Sequence, residues 1–320
     1  ASYCKAKQIP SYQFKNPFLG IFGNQRFLKE ICVKNAIDLI HVHDSKSHTL
    51  AFVSALFGNN RPVIVNRRVD FPIRNNPFSR WKYNNKYIYK YLCVSNKIME
   101  ILAKDIKDHS KLELVHSGID MTRFANKKKS GKLRKEFNIH KDELIIGNIA
   151  ALADHKDYYT FIDTAYIIKS QGIKAKYLLI GEGVLKQELT KYGKSKGMQS
   201  DLIFTGFRND MEDILPEFDF FLLTSKTEGL GTSILDAMAC QVAVVCTNAG
   251  GIPEIVQHEV NGLLSDVGDA ESLASSVSRL ISYPALKQKL IHKAYETARE
   301  FSAEKTAQKV SKIYNEIISG

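Results

Sequence analysis

The stretch Thr224-Ser225-Lys226-Thr227-Glu228-Gly229-Leu230-Gly231-Thr232-Ser233-Ile234-Leu235-Asp236-Ala237-Met238-Ala239 decides the reading of this chain. It opens at the end of an apolar strand, Asp219 to Thr224, turns through two glycines and re-enters a helical pattern near Thr232. The free N–H groups of a helix's first turn, together with the helix dipole, form an anion site suited to a phosphate. Gly229 and Gly231 leave the backbone open to a ligand, with Leu230 between them and Thr232 and Ser233 on the first turn. Glu228 and Asp236 stand eight residues apart. Both are acceptor-only carboxylates, able to grip the hydroxyls of two sugars on either side of that phosphate.

Working outward, the same strand-to-helix unit recurs. Apolar runs at Leu39–His43, Pro62–Asn66, Tyr91–Ser95, Leu112–His116, Leu144–Ile149, Tyr177–Gly181, Leu202–Thr205 and Val242–Thr247 alternate with helical stretches such as 24–36, 46–57, 157–171 and 269–283. Continuous apolar strands separated by helices indicate parallel sheets covered on both faces. The fold class is therefore α/β, with two doubly wound, Rossmann-like parallel-sheet domains facing a cleft. The expected boundaries are 1–125 for the first domain, 126–142 for a lysine-rich linker and 143–300 for the second. A C-terminal helix at 301–320, striped by Val310, Ile313, Tyr314 and Ile317, is expected to pack back on the first. The first half holds about four units, with no strand and glycine-bearing loop ahead of them, so it reads as incomplete at its N-terminal side.

Open parallel sheets bind ligands beyond the carboxyl ends of their strands. Three more features fall there: Lys156 after Leu144–Ile149, Gly181-Glu182-Gly183 after the next strand, and Asn248-Ala249-Gly250-Gly251-Ile252-Pro253-Glu254 after Val242–Thr247. A lone GxG is weak by itself, and a lone lysine weaker still.

Composition narrows the classes. The chain has 320 residues, 44% of them hydrophobic, which excludes disorder as the main state. No apolar run approaches a membrane span, and no leader is visible in the first 15 residues. Five scattered cysteines without CxxC spacing read as reduced thiols, so no metal site and no disulfide framework is expected. Residues 1–142 hold 27 Lys and Arg against 11 Asp and Glu, and residues 143–320 hold 18 against 23. A net +16 beside a net −5 points to a basic first half facing an anionic surface.

Taken in order, Glu228-Gly229-Leu230-Gly231 with Asp236, then Gly250-Gly251-Ile252-Pro253-Glu254-Ile255-Val256 and Asn261-Gly262-Leu263-Leu264, resemble the donor half of family 4 glycosyltransferases of the GT-B fold. Lys156, Gly183 and Gly206-Phe207 fall in the family's order, and Ser117-Gly118-Ile119-Asp120 resembles its interdomain turn. The resemblance implies a retaining, metal-independent enzyme with a nucleotide-sugar co-substrate and no cofactor. It places Glu228 on the donor sugar, Lys156 on the leaving diphosphate, Gly231 to Ser233 on the phosphate, Asp236 on the ribose and Phe207 beside the base. Three departures stand out. Asp236 replaces the usual Glu, Ala151 replaces a common Arg, and the N-terminal glycine loop has no counterpart. Arg67 or Arg68 would have to supply the missing cation from across the cleft. Arg68 falls where related enzymes often carry His, and is assigned to the donor phosphate or the acceptor.

In the first domain, His41 and His43 end one strand and are read as core or capping residues. Residues 71–99 carry no acid but include Arg74, Arg80, Lys82, Lys86, Lys90 and Lys97, interleaved with Trp81, Tyr83, Tyr87, Tyr89 and Tyr91. Basic residues with interfacial aromatics suit an anionic membrane surface, and this reading is preferred to nucleic acid. The expectation is a cytoplasmic transferase, peripheral on the inner face of the membrane, acting on a lipid-linked or saccharide acceptor in envelope polysaccharide or lipopolysaccharide assembly. A sugar-nucleotide epimerase or hydrolase, or a non-catalytic nucleotide-sugar or nucleic-acid binder, stands as the alternative.

Overall fold

The computed structural model describes residues 2–13, 20–125 and 127–319, so Asn126, where the expected linker begins, lies outside them. The first part runs α1 (Ser2–Ala6), α2 (Gly20–Lys34), β1 (Ile40–Val42), α3 (Ser45–Leu56), β2 (Val63–Arg67), α4 (Pro77–Tyr83), β3 (Ile88–Cys93), α5 (Asn96–Ala103) and β4 (Leu112–Leu114). Its strands form one parallel sheet in the order β1-β2-β3-β4. The second part runs α6 (Lys132–Glu136), β5 (Leu144–Ile149), α7 (Tyr158–Ser170), β6 (Ala175–Ile180), α8 (Lys186–Ser195), β7 (Leu202–Gly206), α9 (Met211–Ile214), β8 (Phe220–Leu223), α10 (Thr232–Ala239), β9 (Ala243–Thr247) and β10 (Leu263–Ser265). Helices α11 (Ala270–Ser282), α12 (Pro284–Glu300) and α13 (Ala303–Ser319) complete the chain. The second sheet is parallel throughout, ordered β10-β9-β8-β5-β6-β7.

All four residues of β8 are fully buried. A strand covered on both faces needs an unbroken apolar run, which is why Phe220-Phe221-Leu222-Leu223 shows no alternation. Besides the short helices α1 and α9, two further elements were not read from the sequence. Strand β10 is only three residues long, and α12 follows α11 after the single residue Tyr283.

The lysine-rich stretch from 127 onward is docked, not free. The carboxylate of Glu217, 1% exposed, accepts the backbone N–H groups of Ser130 and Gly131, each at 2.6 Å, and of Lys132 at 3.2 Å. Leu133 is fully buried in the same place. Lys127 pairs with Asp213, Lys129 with Asp219 and Lys132 with Asp210. Part of the basic excess of the first 142 residues thus neutralises acids of the connection between β7 and β8.

Helix α13 buries Ile313 against Ile64, Leu92 and Val115 of the first sheet. The crossing is stitched by the Ile119 N–H to the Phe301 carbonyl at 2.9 Å and by the Ala303 N–H to the Ile119 carbonyl at 2.8 Å. All five cysteines are free thiols. Among the described residues no helix is long and apolar enough to cross a membrane.

Candidate active site

Strands β5 and β8 are neighbours, so the loops leaving their carboxyl ends meet. The Thr224 hydroxyl donates to the Asp157 carbonyl at 2.9 Å, and the Lys226 N–H to the His155 carbonyl at 2.9 Å. These bonds bring Lys156 and Glu228 face to face. The Lys156 ammonium donates to Glu228 Oε1, and the Ser225 hydroxyl donates to the same oxygen at 2.9 Å. The two side chains are 16% and 10% exposed, so this is a largely buried ion pair at the edge of a cleft.

The second glycine turn supports the first from behind. A Cβ on Gly250 would lie 2.1 Å from the Glu228 carbonyl oxygen, and its φ of +55° is left-handed, so no other residue fits there. The Gly251 N–H donates to that carbonyl at 2.8 Å. Helix α10 begins after Gly231, which holds the left-handed N-cap, and its first turn carries Thr232 and Ser233. Leu230 turns inward, 3% exposed, leaving only its backbone for a ligand. One turn further, Asp236 is half-buried. Burial pushes its carboxyl up to about 6 against the pull of Arg123, and Glu212 adds to the rise. Gly183 lies in the loop after β6, tied to the β5 side by the Leu152 N–H to the Glu182 carbonyl at 3.0 Å. Phe207, after β7, is 75% exposed.

From the first domain, the backbone of Arg68 reaches this cluster, while its guanidinium charge acts on His43 of the same domain. A Cβ on Gly229 would come within 2.6 Å of the Arg68 carbonyl, so glycine is what allows the two strand ends to touch. The Thr227 hydroxyl donates to the Asp70 carboxylate beside it. Arg67, expected on the donor diphosphate, does not join. It donates to the Tyr83 hydroxyl at 3.3 Å and to the Phe71 carbonyl, inside the first domain. His41 Nδ1 is 2.6 Å from the Tyr314 hydroxyl, and burial, then the neighbouring His43, lowers its pKa to about 4. It is a neutral packing residue. Among the described residues no three His, Cys, Asp or Glu side chains gather as a metal site.

Residues 129–297 match the family model for glycosyl transferases group 1, and residues 4–123 match that for glycosyltransferase family 4. The chain belongs to the family 4, group 1 glycosyltransferases. This glycosyltransferase is 24% identical to an N-acetyl-alpha-D-glucosaminyl L-malate synthase of Bacillus anthracis, over 91% of its own length and 78% of the relative's. It is also 24% identical, at the same coverage, to an Escherichia coli UDP-Gal:alpha-D-GlcNAc-diphosphoundecaprenol alpha-1,3-galactosyltransferase. In fold it matches Anabaena Alr3699/HepE in complex with UDP-glucose, at a TM-score of 0.87 and 20% identity, covering 98% of this chain and 88% of that one. The two parallel-sheet domains are those of GT-B glycosyltransferases.

Sequence reasoning missed one residue of the glycosyltransferase's cleft. Glu254 crosses to the first domain. Its Oε2 accepts the Asn96 N–H at 2.9 Å, the Asn96 side-chain amide at 3.0 Å and His116 Nε2 at 3.1 Å, and its Oε1 accepts the Lys97 N–H at 3.1 Å. Its place in a Pro-Glu turn carries no local sign of which helix it would meet.

Proposed function

We propose that this glycosyltransferase moves a sugar from a nucleotide-sugar to a lipid-linked or saccharide acceptor with retained anomeric configuration and without a metal, in envelope polysaccharide or lipopolysaccharide assembly. One observation carries the reading: the Lys156–Glu228 pair beside the first turn of α10, on the turn that touches the Arg68 backbone. Breaking a glycosyl–phosphate bond builds negative charge on the leaving diphosphate. Lys156, the N–H groups of Gly231 to Ser233 and Arg68 are preorganised cationic and polar groups for that charge. Glu228 holds the donor sugar once the lysine turns to phosphate, Asp236 takes the ribose, and Gly183 and Phe207 border the base. The Escherichia coli relative's name gives a UDP-sugar donor and a diphosphoundecaprenol-linked acceptor, which supports both classes here.

The deciding experiment is a thermal-shift panel of UDP, GDP, ADP and CMP on this chain and on Asp236→Ala. One nucleotide, at 100 times its dissociation constant, is expected to stabilise the fold by about 2.7 kcal/mol. Asp236→Ala is expected to abolish that shift. A panel without any shift would remove the donor-site reading. Product analysis separates transfer, which frees the nucleoside diphosphate, from epimerisation, which leaves it attached.

Membrane association rests on α4, where Phe78 and Trp81 remain 49% and 53% exposed on either side of Arg80. Tyr83 and Tyr91, expected at the same interface, are core residues instead: their rings stack at 6.0 Å, and the Tyr91 hydroxyl donates to the Tyr83 carbonyl. Binding to anionic vesicles that falls as salt rises, and falls further in Trp81→Ala, is the expected result. Equal, weak binding to anionic and neutral vesicles would refute it.

A further inference from the structure

Arg67 and its neighbours form a cluster that the donor site does not use. Arg67 Nε is buried without a hydrogen-bond partner. Lys82, at the end of α4, is 5% exposed. Its ammonium donates to Thr49 Oγ1 at 3.2 Å and sits 4.9 Å from the centre of the Tyr83 ring. Burial first, then the charges of Arg67 and Arg74, hold its pKa below the ordinary lysine value, and no carboxylate is among the groups acting on it. His48, 1% exposed beside them, is pushed down to about 3 by burial and then by Lys82 and Arg67, against the Lys82 carbonyl. It adds no positive charge and offers no negative one.

Three cations with no anion among them are costly to hold together, and a buried unpaired ammonium most of all. The cost falls when an anion arrives. The surrounding segment, residues 71–99, contains no acid that could supply it from within. The cluster lies at the carboxyl end of β2 and near the start of α3, the end of the first sheet where open parallel sheets take ligands. The donor-side turn is met there by the backbone of Arg68, the residue that follows the strand.

We infer that Lys82, Arg67 and Arg74 form a binding site for an oxyanion, a phosphate or carboxylate group carried by the acceptor. Its assignment to the acceptor rests on the transferase reading above; the anion site itself does not. Arg67 Nε supplies a ready donor, Arg74 an exposed guanidinium, and Lys82 a buried point charge.

The test is thermal stability of the whole chain titrated with inorganic phosphate and, separately, with malonate, on the wild type, Lys82→Met and Arg74→Gln. The wild type is expected to show a saturable rise with at least one of the two, and which one responds tells phosphate from carboxylate. Lys82→Met is expected to lose that rise and, without anion, to melt above the wild type because an unpaired buried charge has gone. Arg74, exposed and free of structural bonds, provides a variant that folds regardless. Arg74→Gln is expected to bind the anion about tenfold more weakly, the loss of one charge-assisted contact. No saturable rise in the wild type, or an equal rise in Lys82→Met, would overturn the inference. The UDP shift, followed in parallel, should survive in both variants. Anion binding at this cluster without any nucleotide shift would leave the site standing and remove the transferase reading.

Discussion

Lys156→Met and Glu228→Gln, made singly, are each expected to lower turnover by about 10²–10³-fold, the usual loss when one preorganised charge-stabilising group is removed. Each is also expected to destabilise the fold by about 3–5 kcal/mol, because it leaves its partner's charge largely buried and unpaired. The double variant should separate the two effects. With both charges gone, most of the stability returns, since replacing a buried pair as a unit is close to neutral. Turnover stays low, because neither of the roles proposed for the Glu228 carboxylate and the Lys156 ammonium is restored. Urea unfolding midpoints for the four proteins, beside turnover with the nucleotide-sugar selected by the nucleotide panel, check this. Strictly additive stability losses would show that the pair is not formed in solution. Near-wild-type turnover in either single variant would place the chemistry elsewhere.

Glu254→Ala is expected to loosen the two domains and to cost about 2 kcal/mol of stability. The carboxylate gathers two backbone N–H groups from the first turn of α5, a side-chain amide and an imidazole, all from the other domain. Ser95 already caps the Ile98 N–H of that helix, so Glu254 serves the remaining first-turn donors and the positive end of the helix dipole. A lost helix-capping acceptor costs about 0.5–2 kcal/mol, and a hydrogen bond to a charged group about 1.5–3. The effect on catalysis follows from the glycine contacts nearby. The turn bearing Glu254 also carries Gly251, packed against Gly229 and Ser95, and Gly229 touches Arg68. Releasing Glu254 therefore loosens the contact between the Gly229 turn and the Arg68 backbone. In small-angle scattering Glu254→Ala should show a larger radius of gyration, and its kcat should fall more than its donor affinity. Glu254→Gln, which keeps the acceptor atom but not the charge, should fall between. An unchanged radius with unchanged kcat would mean the domains are held by other contacts.

Much of this was legible in the chain. A strand buried on both faces has to be an apolar run, and a helix that follows it through glycine has to expose its first N–H groups. From Phe220 to Ala239 the sequence therefore dictates strand, turn and helix together. The order of Glu228, Asp236, Gly250-Gly251 and Asn261-Gly262 was enough to point to the family. Strand β5 was read to the residue, and the C-terminal stripe of Val310, Ile313 and Tyr314 marked a packed helix. Weak local signals failed where expected. Three residues of β10 are too few to show a period, and the aromatic-basic run could not reveal that Tyr83 and Tyr91 face inward while Trp81 faces out.

By itself, then, the sequence determined most of the strands and helices, the glycine turn that opens α10, and which carboxylates flank that turn. Periodicity and turn chemistry are local, and these follow from them. Only the tertiary structure decided the partners. It paired Lys156 with Glu228 across adjacent strand ends 72 residues apart in sequence, and set Glu254 on a helix 158 residues away. It also turned Arg67 from the donor side into a cluster of unpaired cations. Periodicity shows that a residue is buried or points to one face of its element. Which group it meets there depends on how two sheets are brought together, and no neighbouring residue in the chain records that.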